Sequence, residues 1–312
     1  FCHSSFPMLS LSTCWHSHRY QDGMEVAQEA RALGFEWIEI SHGTKVSLLP
    51  GLMQAFDAGI IRVSSLHNFC PSPVEVLLDS PDAFEFTSHR QQERDRALSL
   101  TKQTIQMATR FGASRVVLHL GSVPMKSHTD RLEAMAHKGE IYSRAYIDLK
   151  LQFVQEREKL SAFYLERART ALKVLLPVAE QARVCLAVET RSHFEQVPNE
   201  RELLALMTEF QDNPWLGAWH DFGHVQRKAN LGLLDHAQLL QALAPKLLGC
   251  HVHDVDWPAK DHRVPLSTGG VDFEKLLPWV PKGLPLVWEL SPSQRRAQVL
   301  AEHQAWRSKF GA

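Results

Sequence analysis

The sequence predicts a (β/α)8 barrel built as one domain over residues 1–312. Three observations carry this. Eight short apolar runs alternate with amphipathic, helix-like segments along the chain. The runs are continuously apolar rather than alternating, as expected of parallel strands covered on both faces. Several of them end in a histidine or a carboxylate, and in a barrel all such ends share one rim. A doubly wound open sheet is the structural alternative, but no G-x-G-x-x-G follows the first run and no P-loop is present.

In chain order, the first strand is expected over Met8 to Trp15, and its helix over Gly23 to Leu33, stopped by Gly34. Trp37 to Ser41 forms the second strand, and a short helix from Leu49 to Ala58 ends at Gly59. The third strand, Arg62 to Phe69, leads into a loop holding Pro71, Pro73 and Pro81. A long helix, Ser88 to Phe111, is stopped by Gly112 before the fourth strand, Arg115 to Leu120. Polar, mixed-charge sequence follows and reads as an insertion at about 123–160, placed to serve as a lid, an oligomer contact or a solvated decoration. It merges from Leu149 into a helix reaching Gln181. The fifth strand is Val184 to Thr190, and its helix runs from Asn199, the N-cap, to Phe210, with Glu202 at the third position. Leu216 to Trp219 forms the sixth strand, with a helix at Asp235 to Leu243. The seventh strand is Leu247 to Val255, followed by a loop from Trp257 to Gly270 and a helix from Asp272 to Val280. Leu286 to Leu290 and a helix from Ser293 to Phe310 close the chain.

Composition bounds the function. A net charge of -1 and a pI near 7.1 argue against nucleic acid and anionic membrane as partners. No apolar run reaches the roughly 18 residues a membrane helix needs, and Phe1-Cys2-His3 does not open like a signal peptide. Cys2, Cys14, Cys70, Cys185 and Cys250 are odd in number and contain no C-x-x-C. A disulfide framework and a zinc ribbon are therefore not expected, and a reducing cytoplasm is the expected compartment. The 17 histidines are the unusual feature, and histidine is the commonest metal ligand among side chains.

Four of those histidines, with three carboxylates, fall at or just beyond strand ends. His67 ends the third strand, His119 the fourth, Glu189 the fifth, Asp221 the sixth with His224 just beyond it, His251 the seventh and Glu289 the eighth. Imidazole mixed with carboxylate and free of thiolate suits a Lewis-acid or hydrolytic divalent cation, zinc or manganese first, with magnesium, iron or cobalt also compatible. One metal or two can be drawn from this set. His253 alternates with His251 and is expected to face the interior or to stand behind the ligands. Trp15, Trp257 and Trp288 offer stacking surfaces, against the plainer reading of core and rim packing. His16 and His18 are expected on a surface loop.

The chain resembles the xylose-isomerase-like barrel superfamily over nearly its whole length. The resemblance rests on Gly34-Phe35-Glu36-Trp37-Ile38-Glu39-Ile40, Leu66-His67-Asn68, Val117-Leu118-His119-Leu120-Gly121 and Ala187-Val188-Glu189-Thr190. It continues in Asp221-Phe222-Gly223-His224, His251-Val252-His253-Asp254 and Trp288-Glu289-Leu290. Its epimerase members imply Glu189, Asp221, His251 and Glu289 as ligands of one metal. They also imply Glu189 and Glu289 as the proton-transferring pair and His224 as a contact for substrate hydroxyls. Its endonuclease IV-type members imply the same four with His67, His119 and His224 around several zinc ions. They also expect D-x-H after the seventh strand, where this chain has Asp261-His262-Arg263.

The leading expectation is a metal-dependent isomerase or epimerase of a sugar or polyol ketone, acting through a metal-stabilised enediolate. His224, His253, Arg263, Trp15 and Trp257 would contact a small carbohydrate-like substrate, and a homo-oligomer is compatible. The alternatives are a zinc-dependent phosphodiester hydrolase of the endonuclease IV type and a non-catalytic metal- or metabolite-binding barrel.

Overall fold

The structure, a computed structural model, describes residues 8–76 and 81–311. Phe1-Cys2-His3 lies outside the described residues. Eight parallel strands close into a barrel. They are β1 (Met8–Ser12), β2 (Trp37–Ile40), β3 (Arg62–His67) and β4 (Arg115–Leu118), followed after a short β5 (Gly121–Ser122) by β6 (Cys185–Glu189). A short β7 (Gln196–Val197) precedes β8 (Leu216–Asp221) and β9 (Leu247–Val252). The hairpin strands β10 (Asp254–Asp256) and β11 (Lys260–Arg263) come before the last barrel strand, β12 (Pro285–Trp288). β1 pairs with β2 on one side and β12 on the other, so the sheet has no free edge.

Helices cover the outside: α1 (Gly23–Ala32), α2 (Leu49–Asp57), α3 (Gln91–Arg110), α4 (His128–His137), α5 (Arg144–Ala182), α6 (Glu200–Glu209), α7 (Phe222–Asn230), α8 (His236–Leu243), α9 (Phe273–Leu276) and α10 (Arg296–Phe310). The capping box at α6 is formed as the sequence reads, with Asn199 Oδ1 accepting from the Glu202 N–H and Glu202 accepting from the Asn199 N–H. Among the described residues no helix is long and apolar enough to cross a membrane.

The segment after β4 differs from its expected shape. Helix resumes at Arg144 rather than Leu149 and runs unbroken to Ala182. Its outer half packs with α4 in a small core of its own, where Leu132, Ala136, Tyr146, Leu149 and Phe153 meet Leu231. Its inner half, including Leu172, Leu175 and Ala179, joins the main core.

His16 and His303 are buried, His16 against its expected place on a surface loop. The Nε2 of His16 lies 3.0 Å from the Val26 carbonyl. His303 packs on Phe35, with ring centroids 4.3 Å apart, in the space left by Gly34. Burial pushes each down to about 4. The unfolded chain takes up these protons near 6.5, so the stability that depends on their staying neutral is complete above that value and is lost as pH falls toward 4. Each contributes on the order of 3 kcal/mol at most. The thermal midpoint is expected to fall steeply between pH 6.5 and 4, and His303→Gln to flatten part of that fall. A midpoint that stays level would contradict this account.

Candidate metal centre

The barrel interior places the site. Val117, Ala187, Trp219 and Val287 form a fully buried apolar layer across β4, β6, β8 and β12. Side chains two apart on a strand share a face. The next inward position is therefore His119 just past β4, Glu189 on β6, Asp221 on β8 and Glu289 just past β12. On β9 the same step runs from Gly249 to His251. Gly249 carries no side chain because the Trp219 ring fills that space, and a Cβ there would collide with it. The polar residues thus stand on a dry floor.

Glu189, Asp221, His251 and Glu289 are all buried, and their ligand atoms lie within 4.8 Å of one another. His251 Nδ1 is 3.0 Å from Glu189 Oε1, 3.5 Å from Glu289 Oε2 and 3.6 Å from Asp221 Oδ2. Its other nitrogen, Nε2, is 3.1 Å from Glu39 Oε1, and Glu39 Oε2 accepts from the Ser65 hydroxyl at 2.8 Å. Glu39 thereby fixes the ring orientation and would keep the proton on Nε2 when Nδ1 turns its lone pair to a cation.

Glu189 also belongs to a second group. Its Oε2 is 3.1 Å from His67 Nε2 and 2.8 Å from His119 Nε2. The far nitrogen of His119 lies 3.0 Å from Asp82 Oδ1, and Asp82 Oδ2 accepts from Arg191 at 2.7 Å. His224, His253 and His262 form a third group. His224 Nδ1 is 3.2 Å from the Thr190 carbonyl and 3.5 Å from Glu189 Oε1. Arg227, on α7, donates to Asp261 of the hairpin and to Glu133 of α4, each at 2.7 Å.

The charges are interdependent. Burial pushes the Glu189 carboxyl up, but His251, His224 and His67 outweigh it and hold it well below the usual range. Asp221 is likewise held well down, by His224 and His253 against burial. Glu289 is lowered too, by His251 and His262 against burial. Burial pushes His251 down, but Glu289, Glu39 and Glu189 carry it well above its ordinary value.

This donor set fits a divalent cation. Three buried carboxylates and one imidazole nitrogen converge, and among the described residues the charged partners of those carboxylates are histidines. Carboxylates crowded in a low-dielectric site call for compensating positive charge, which a hard or borderline cation supplies.

The other sequence candidates are dispersed. Trp15 is fully buried, with its indole N–H donated to the Gln294 carbonyl at 3.0 Å, and exposes no surface to a ligand. Trp288 is also fully buried. Trp257, in the turn between β10 and β11, is 53% exposed. Arg263 lies on β11, 3.7 Å from Asp256. Glu39 and Asp82 carried no assigned role in the sequence. For Glu39 the available signal was a lone carboxylate at the end of an apolar run, the same signal that marks Glu189.

The family described as xylose isomerase-like TIM barrel matches residues 27–306. The chain belongs to that family. Solved structures similar to this xylose isomerase-like barrel include a D-tagatose 3-epimerase-like protein, at 15% identity and TM-score 0.68, covering 97% of this chain and 98% of that one. A 3-keto-D-glucoside 4-epimerase from E. coli aligns at 15% identity and TM-score 0.68, over 97% of this chain and 99% of its own. A D-allulose 3-epimerase from Methylomonas sp. in complex with D-allulose aligns at 14% and 0.65, over 99% and 98%. No curated protein matches the chain in sequence. At these identities the likeness establishes the shared fold.

Proposed function

We propose that this xylose isomerase-like barrel is a divalent-metal-dependent isomerase or epimerase of a sugar or related polyol ketone. The observation that carries the reading is the placement of Glu189 and Glu289. They enter one buried cluster from β6 and β12, flanking the Asp221 and His251 supplied by the two strands between. Two carboxylates on opposite flanks suit a reaction in which one removes a proton from a carbon beside a carbonyl and the other returns a proton to the other face. Glu189, Asp221, His251 and Glu289 would hold the cation, zinc or manganese by donor type. When bound, such a cation supplies Lewis-acid stabilisation to neighbouring substrate oxygens. His67 and His119, at hydrogen-bond distance from Glu189 Oε2, orient the carboxylate that moves the proton. His224 stands at the edge of the cluster, where it can contact substrate hydroxyls, and Trp257 and Arg263 on the hairpin side are further candidate contacts. The sugar-bound epimerase among the similar structures supports a carbohydrate ligand.

A second reading, a multi-metal phosphodiester hydrolase, is favoured by the sharing of Glu189 between two ligand groups. It gains from His262, which joins His224 although it stands one residue early in the loop. Two measurements separate the readings. Elemental analysis should find one divalent ion per chain, and incubation with ketoses in deuterated water should place deuterium at the carbon beside the carbonyl. Two or three zinc ions with no deuterium uptake would favour the hydrolase.

A further inference from the structure

His253 follows His251 by two residues and is fully buried. Its Nδ1 accepts the backbone N–H of His262 at 2.8 Å. That bond occupies the Nδ1 lone pair and leaves the ring proton on Nε2. Nε2 lies 2.9 Å from Asp221 Oδ1 and 3.0 Å from Oδ2. Both ring nitrogens are therefore in use inside the protein, which sets His253 apart from His224 and His262 in the group it shares with them.

The ring is also confined on its faces. His262 stacks on it with centroids 4.1 Å apart and planes 18° from parallel. A Cβ at Gly223 would collide with the ring, so the glycine of Asp221-Phe222-Gly223-His224 makes room for His253. From the other side, Asp221 caps α7, its Oδ1 accepting the His224 N–H at 2.7 Å. A carboxylate held by a helix N-terminus alone can still turn about its last bond. Contact of one Nε2–H with both oxygens removes that freedom.

We infer that His253 is a positioning residue that fixes the orientation of the Asp221 carboxylate, with its own tautomer set by the backbone of the β10–β11 hairpin at His262. The consequence for metal affinity rests on the proposed role of Asp221 as a metal ligand; the positioning itself does not. The hairpin that carries Asp261, His262 and Arg263 is thus coupled through one imidazole to the centre of the cluster.

Glutamine can place an amide N–H near the position of Nε2, whereas asparagine reaches only as far as Nδ1. The test compares His253→Gln and His253→Asn in the full chain. Crystal structures of the metal-free variants should show the Asp221 carboxylate rotated in His253→Asn and in place in His253→Gln. Titration calorimetry with Mn²⁺ should show affinity about 10- to 100-fold weaker for His253→Asn and near wild type for His253→Gln, as expected when a group supporting a ligand is lost. An unmoved Asp221 in His253→Asn overturns the inference, as does equal loss of affinity in both variants. Nitrogen NMR of the wild-type protein checks the tautomer without any substitution, and a protonated Nδ1 on neutral His253 also overturns it. If the wild-type protein takes up no Mn²⁺ while Asp221 still rotates in His253→Asn, the metal reading fails and the positioning role stands.

Discussion

Replacing Glu189 by glutamine is expected to cut turnover by about 10²- to 10⁴-fold while leaving the barrel folded. The amide keeps the size of the side chain, so the apolar layer beneath it is undisturbed. It lacks the charge and the second acceptor oxygen. The Oε2 position now faces His67 and His119, and the Oε1 position faces His251, so one of these contacts meets an N–H₂ in place of an oxygen. Weaker Mn²⁺ binding should accompany the loss, because the same carboxylate belongs to two ligand groups. Steady-state rates, solvent-deuterium uptake and Mn²⁺ titration together check this. A Glu189→Gln protein that binds metal and exchanges substrate protons at the wild-type rate would sink the proposed role of Glu189.

The largest effect on stability is expected at Arg157. This side chain is fully buried in α5, with Nη1 2.6 Å from Glu202 Oε1, Nη2 2.8 Å from Oε2, and Nη2 donating to the Gln196 carbonyl at 2.7 Å. Burial pushes Glu202 up, but Arg157 outweighs it and holds the carboxyl below its usual value. Arg157→Ala leaves that carboxylate partly buried and uncompensated, at a cost of about 3–5 kcal/mol. The midpoint should drop by on the order of 10 °C. Glu202 is also half of the capping box of α6, so the start of that helix should loosen with it. The paired variant Arg157→Met with Glu202→Gln should recover much of the loss, since neither charge is then stranded. Equal midpoints for the wild-type protein and Arg157→Ala in calorimetry would rule out this account.

The barrel was legible because its strands are continuously apolar and its ligand-type residues sit at equivalent strand ends. Val117 and His119, Ala187 and Glu189, and Val287 and Glu289 each repeat the same step of two. Helix stops at Gly34, Gly59 and Gly112 were readable from local chemistry, and all three have positive φ. The contact of Glu39 with His251 was not readable, because it joins residues 212 apart on strands whose closure depends on the whole barrel. Asp82 lies in the Pro-rich loop, and nothing in the spacing brings it to His119. The helix α7 is not readable for a different reason. Lys228 is fully buried on it through its pairing with Glu200, so a charged residue occupies an inward position that an apolar pattern would have marked. The burial of His16 is not readable either, because no local signal marks the Val26 carbonyl as its partner.

Arg227 has a consequence for how this mouth can change over evolutionary time. One guanidinium joins Glu133 of the segment after β4 to Asp261 of the hairpin after β9, through a helix that Asp221 caps. Reversing the charge at either acid would set it against a largely buried cation. The two segments that Arg227 joins are therefore not independent modules. A hairpin reshaped for a new ligand must keep its carboxylate or be matched by a change about 130 residues earlier. Change in either segment is bounded by that pairing.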